Sequence, residues 1–263
     1  MSASTICESD LVGVECSGSV GIVTLRRPSA RNALSVQMLE DLARIMRDCD
    51  AAPEVRCILL TGGEAVFSAG ADIDALSGYT AATYPDSVNR RAFDAIRATR
   101  TPVVAAVAGY CLGGGCEIAL GCDVIVAADT ARFSQPEINL GFIPGAGGTQ
   151  LWALRAGQGA QAHAALTGEM MDAFAARRAG LVDMIVPACA LKDAALKLAT
   201  QIAAKAPLAS RAAKAAMRAP WGAPLHAALD QEVALMSGLL ASEDASEGIA
   251  AFLEKRSPRF AGR

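Results

Sequence analysis

Between residues 55 and 128 the chain repeats one pattern: a short apolar run, a glycine-containing loop, then a helix. The runs at 55–61, 103–107 and 124–127 are rich in β-branched and aliphatic residues. Each is short enough to be a buried strand and is bounded by Gly or Pro. The helices follow at 86–99, closed by Thr101-Pro102, and at 113–121, opening on the glycines themselves. Strand, loop and helix in alternation belong to α/β architecture. Ahead of this centre, 12–16 and 20–25 flank Ser17-Gly18-Ser19 and read as a β-hairpin. Ser35 is a good N-cap for an amphipathic helix over 36–50, with Met38, Leu39, Leu42, Ile45 and Met46 on one face. No exact sequence repeat accompanies the pattern.

Beyond about residue 147 the chain reads as helices almost throughout. A helix at 172–179 ends at Gly180, and a short strand is expected at 181–186. Helices follow over 191–206, 208–219, 225–240 and 243–255, punctuated by Pro207, Pro220 and Pro224. Such a tail packs on its own core or reaches a neighbouring subunit, and the pattern leaves both open.

Composition removes several classes of function. Of the 263 residues, 52% are hydrophobic, which excludes a disordered chain. The longest apolar run is 103–108, against the roughly 18 residues of a membrane-spanning helix. Lys+Arg 24 against Asp+Glu 27 gives a net charge of −3 with no basic stripe, and aromatic residues are only 5%. Nucleic acid is therefore not expected as a partner. The 8 cysteines include no C-x-x-C. Cys57, Cys111, Cys116, Cys122 and Cys189 lie in or beside apolar stretches, as reduced, packed cysteines do. With 2 histidines, His163 and His226, no metal site is expected. Residues 1–14 show no apolar or Arg-rich presequence, and a cytoplasmic location is the expectation.

No phosphate loop, dinucleotide fingerprint or G-x-S-x-G elbow occurs. Three glycine-containing loops remain. The first is Phe67-Ser68-Ala69-Gly70-Ala71-Asp72-Ile73. The second runs from Gly109 to Glu117 through Gly113-Gly114-Gly115. The third starts at Ser134-Gln135-Pro136-Glu137 and continues to Pro144-Gly145-Ala146-Gly147-Gly148-Thr149. Glycine exposes backbone amides, and two amides aimed at one point stabilise an oxyanion. Glu117 and Glu137 stand beside the second and third loops, a pairing suited to moving protons to and from an enolate. Each residue also has a plainer reading. Glu117 fits the first turn of a helix, Glu137 a solvated loop charge, Asp72 a helix N-cap, and the glycines close strand–helix packing.

The three loops in this order resemble the enoyl-CoA hydratase/isomerase, or crotonase, family. The likeness runs from Arg27-Pro28 and Arg31-Asn32-Ala33-Leu34 to Lys255-Arg256 and Phe260. It implies a superhelix of repeated ββα units over residues 1–200, carrying the active site. It also implies a helical region over 201–263 that forms homotrimers, often paired as hexamers. The substrate it implies is an acyl-CoA thioester, with no cofactor. The Ala71 and Gly114 amides would form the oxyanion hole, and the Gly145 amide would help hold water. Ala69, Ala71, Asp72, Ile73, Asp74 and Gly114 would contact substrate or CoA. Glu117 and Glu137 would act as base and acid in hydrating a trans-2-enoyl-CoA. Asp74 departs from the lysine many relatives carry, removing one cation from the CoA phosphates, and Leu151 stands where relatives often have Arg. Residues 76–97, with Tyr79, Thr80, Tyr84, Phe93 and Ile96, would shape the acyl pocket, and Arg259 could reach CoA. Enoyl-CoA isomerisation, dehydration of a specialised hydroxyacyl-CoA, and non-catalytic acyl-CoA binding are the competing readings.

Overall fold

The computed structural model describes residues 6–77, 80, 82–84, 87–219 and 224–263. Tyr79 and Pro220 fall outside them, as does the side chain of His226. Strands β1 (Val12–Ser17) and β2 (Val20–Leu25) form the expected antiparallel hairpin. β2 then pairs in parallel with β3 (Cys57–Thr61), which continues through β4 (Val103–Val107), β6 (Val124–Ala128) and β9 (Met184–Val186). A second sheet is built from β5 (Tyr110–Leu112), β7 (Arg132–Ser134) and β8 (Met171–Asp172).

Alternate residues of one strand serve two cores, because side chains on a strand point to opposite faces. Ile58, Leu60, Val103, Ala105, Ile125 and Ala127 pack beneath α1 (Val36–Ala51), α3 (Val88–Arg97) and α4 (Gly114–Gly121). Cys57, Leu59, Val104, Ala106 and Val126 face the other way, against Ala195, Ala199 and Ala203 of α7 (Leu191–Ala203). Coverage on both faces is why these strands read as unbroken apolar runs. The Ser35 hydroxyl accepts from Met38 N–H at 3.3 Å, capping α1 as expected. The other helices that precede α7 in the chain are α2 (Ile73–Ser77), α5 (Gly148–Thr167) and α6 (Ala173–Ala179). Asp172 caps α6, and the strand expected over 181–186 is shorter, starting at Met184 because Asp183 turns in to accept from Ile125 N–H at 2.7 Å.

The chain ends in α8 (Pro207–Arg218), α9 (Leu225–Leu240) and α10 (Glu243–Leu253). The division expected at 200/201 falls inside α7, and α8 is bolted to the α/β core. Lys214 is buried, pairing with Asp123 at 2.7 Å and donating to the Thr101 carbonyl at 2.8 Å. Arg218 meets the other Asp123 oxygen at 2.7 Å. Removing one partner of a buried pair typically costs about 3–5 kcal/mol. Arg218 still neutralises Asp123, so Lys214→Met is expected to cost less, about 2–3 kcal/mol in urea unfolding.

No cysteine forms a disulfide among the described residues. Cys57, Cys111, Cys116 and Cys122 are buried as expected. Cys189 is exposed, because it sits in the 3₁₀ turn preceding α7 and not in a packed strand. No helix among the described residues is long and apolar enough to cross a membrane.

Candidate active site

The three glycine loops converge on one cavity of about 660 Å³. Its wall includes Ala69, Ala71, Ile73, Gly114, Glu117, Glu137 and Gly145, along with Thr80, Tyr84 and Phe93 from the expected acyl-pocket segment. Asp72, Asp74 and Arg259 do not line it, and Ile96 is buried in the core.

The first loop is drawn beside Leu34. Leu34 N–H donates to the Gly70 carbonyl at 2.8 Å and Asp72 N–H to the Leu34 carbonyl at 3.1 Å. This parallel bridge straddles Ala71 and leaves its N–H out of the ladder. Gly114 is the first residue of α4, whose opening amides have no acceptor within the helix. Neither amide has an acceptor among the described residues. Ala71 N lies only 3.6 Å from where a β-carbon on Gly114 would sit, so the two donors are neighbours. The loop is held from behind by buried Asn32, whose amide donates to the carbonyls of Gly62, Val66 and Phe67 at 2.9–3.1 Å. The Ser68 hydroxyl, bonded to the Asn32 carbonyl at 2.7 Å, also accepts from Gly70 N–H at 3.2 Å.

Glu117 is buried in the first turn of α4, yet it caps a different helix. One oxygen, Oε1, accepts from Ala146 N–H at 2.7 Å and from Gly148 N–H at 2.8 Å, the latter opening α5. Burial raises its pKa. The two amides and the nearby Arg97 charge oppose that rise without cancelling it. Arg97, at the end of α3, donates to the Ala146 carbonyl.

Glu137 is the second residue of the 3₁₀ turn Pro136–Leu140 and is half-buried. A β-carbon on Gly113 would come within 2.7 Å of its Oε1, so the glycine at φ +49° makes room for the carboxylate. Its Oε2 is buried without a partner among the described residues. Burial first, and the Glu117 charge second, push the Glu137 pKa up to about 7. Neither glutamate is the solvated charge or simple helix cap its neighbours in sequence would suggest.

Asp72 does keep its plainer reading. It precedes α2, accepts from Asp74 N–H at 3.2 Å, and pairs with Arg27 at 2.6 Å, which lowers its pKa. His163 lies on the exposed face of α5 beside Glu169, remote from this chemistry. Among the described residues no cluster of three or more His, Cys, Asp or Glu could hold a metal ion.

The chain as a whole is similar to known proteins. Residues 15–263 match the family described as enoyl-CoA hydratase/isomerase. The chain belongs to that family. It is 42% identical to a probable enoyl-CoA hydratase of Mycobacterium leprae, over 97% of this chain and 99% of the relative. It is 41% identical to the 2,3-dehydroadipyl-CoA hydratase of Escherichia coli, over 92% of this chain and 95% of that protein. Among solved structures, an enoyl-CoA hydratase subunit from Geobacillus kaustophilus superposes with a TM-score of 0.92 at 39% identity, covering 97% of this chain and 100% of that one. The fold is thus the crotonase fold of the enoyl-CoA hydratase/isomerase family.

Within this family framework some of the contacts at the site had no signal in the sequence. Phe142 and Ile143 line the cavity from an irregular loop, and no periodicity announces them. Tyr84 brings its hydroxyl to within 2.0 Å of where a β-carbon on Gly145 would sit, so a side chain there would have to displace the tyrosine. Arg97 ends a helix, where a basic residue is ordinary. Only the fold reveals that it reaches the Glu117 loop.

Proposed function

We propose that this protein is an enoyl-CoA hydratase, adding water across a trans-2-enoyl-CoA to give the 3-hydroxyacyl-CoA and reversing the reaction as a hydro-lyase. The observation that carries the reading is two carboxylates in different electrostatic settings on one cavity wall, beside two amides with no acceptor among the described residues. The relatives' names as hydratases support it.

The thioester oxygen accepts from the Ala71 and Gly114 amides, so negative charge builds there as the Cβ–O bond forms. Water sits between the glutamates with the Gly145 amide nearby. Glu117 takes one proton from it as the hydroxyl joins Cβ. Glu137 gives its proton to Cα, and dehydration runs each transfer backwards. The pair holds one proton before and after, so no external acid or cofactor is required. Ala69, Ile73 and the backbone of the Asp72–Asp74 turn are the surface along which CoA runs.

The same reading assigns α9 and α10 to subunit contacts in a trimer or a pair of trimers. Leu229, Val233, Met236 and Leu240 form an exposed stripe along α9, and Phe252 on α10 is 82% exposed. Eight cysteines with no disulfide among the described residues suit a reducing, cytoplasmic setting.

Crotonyl-CoA hydration by the purified protein tests the proposal. Because Glu137 must carry a proton, kcat/KM for hydration is expected to fall about tenfold per pH unit above about 7. The apparent values belong to the coupled pair. A profile flat from about pH 6 to pH 9 contradicts the role of Glu137. Release of free CoA or double-bond migration without hydration contradicts the reaction.

A further inference from the structure

The hydratase reading explains what Glu117 does but not what keeps its loop in place. Both amides on Glu117 Oε1 come from residues 146–148, a stretch rich in glycine, with Gly147 at φ +109°. The peptide between those two donors presents the Ala146 carbonyl to the Arg97 guanidinium. A β-carbon on Gly147 would lie 3.4 Å from Arg97 Nη1, so the side chain is stacked directly on the loop.

Arg97 is itself fixed from two directions. Asp94, one turn earlier on α3, pairs with its other terminal nitrogen. Arg218 of α8 donates to the Arg97 carbonyl at 2.8 Å and to the Gly121 carbonyl, at the end of the Glu117 helix, at 2.7 Å. The ends of α3 and α4 are thereby tied together by α8, which is anchored through Asp123 and Lys214.

We propose that Arg97 is a positioning residue for Glu117: it holds the Ala146 carbonyl so that the Ala146 and Gly148 amides stay aimed at one carboxylate oxygen. This rests on the hydratase reading. Arg97 does not line the cavity and touches no reacting atom. Among the described residues the charged and titratable groups around Glu117 are Arg97 from α3 and Glu137 from the turn after β7, with Asp94 behind the arginine and with Arg90 and Tyr84 on the same cavity wall. Removing the guanidinium frees the loop and also removes a cation that favours the ionised form of Glu117. Its carboxylate then becomes harder to ionise.

Arg97→Met is expected to lower kcat for crotonyl-CoA hydration about 10- to 100-fold while KM changes by less than about threefold, since a small misplacement of a catalytic group is enough. The acid limb of the pH profile should move to higher pH, because Glu117 must be ionised to accept the proton. Arg97→Lys, which keeps a donor and a charge, should restore kcat to within about fivefold and return the limb. Carbon NMR of protein labelled at the glutamate carboxyls should show the Glu117 titration raised in Arg97→Met and normal in Arg97→Lys. That readout needs no turnover, so it judges Arg97 even if the wild type hydrates nothing, an outcome that sinks the hydratase reading alone. An unshifted Glu117 titration, or a kcat loss that merely follows a lower melting temperature, overturns the proposal.

Discussion

Glu117→Gln is expected to lower crotonyl-CoA hydration by about 10³-fold or more, with the melting temperature held or raised. The substitution is close to isosteric. A glutamine carbonyl can still accept from Ala146 N–H and Gly148 N–H, now at 2.7 and 2.8 Å from Glu117 Oε1, so the loop keeps its anchor. What disappears is the site for water's proton. The buried carboxylate is also unfavourable in itself, since burial raises its pKa against the two amides and Arg97. Losing the charge therefore removes the base without removing structure. Steady-state kinetics beside thermal unfolding checks both halves. A large activity loss accompanied by collapse of the fold would mean that Glu117 acts as a structural residue.

Glu137→Gln carries the second large effect, and its two parts have opposite signs. Hydration should fall about 10²- to 10⁴-fold, because no acid is left to protonate Cα. Stability should rise at alkaline pH. The folded protein holds the Glu137 proton up to about pH 7, whereas the ordinary value is 4.5. The folded state therefore binds more protons between those values, and stability is lost as pH climbs through that window. Glutamine removes the penalty. With partial exposure allowed for, the variant should be about 1–3 kcal/mol more stable than wild type at pH 8, and the gap should close as pH falls toward 4.5. Unfolding at several pH values reads this directly. Equal stability at pH 8 would mean that the carboxylate is not held in an unfavourable setting.

The parts of the fold that could be read from the sequence are those with a periodic signature. β3, β4 and β6 are apolar on both alternations because each serves two cores, and α1 announces itself through Ser35 and an apolar stripe. The second sheet has no such signal. β5 and β7 have three residues each and β8 has two, too few to display a period, and β5 and β7 border the same glycine motifs that read as loops. α5 was obscured by Gly147 at its start and by Gly157, whose φ of +81° kinks it. Glu117 and Glu137 could be found because glycine, carboxylate and order combine into motifs. Arg97 could not, since its partner is a backbone carbonyl that only the folded chain brings to it. The C-terminal region was legible as helices but not as an attached element, because Lys214 and Arg218 on an alanine-rich helix look like surface charges.

The central claim is that these two carboxylates move water onto an enoyl-CoA. Incubating crotonyl-CoA with the protein in oxygen-18-labelled water and weighing the products by mass spectrometry tests it most directly. The expected product is 3-hydroxybutyryl-CoA carrying one heavy oxygen, formed by the wild type and reduced to trace amounts with Glu117→Gln and Glu137→Gln. Substrate recovered unlabelled and unhydrated, or label incorporated equally by all three proteins, would contradict it.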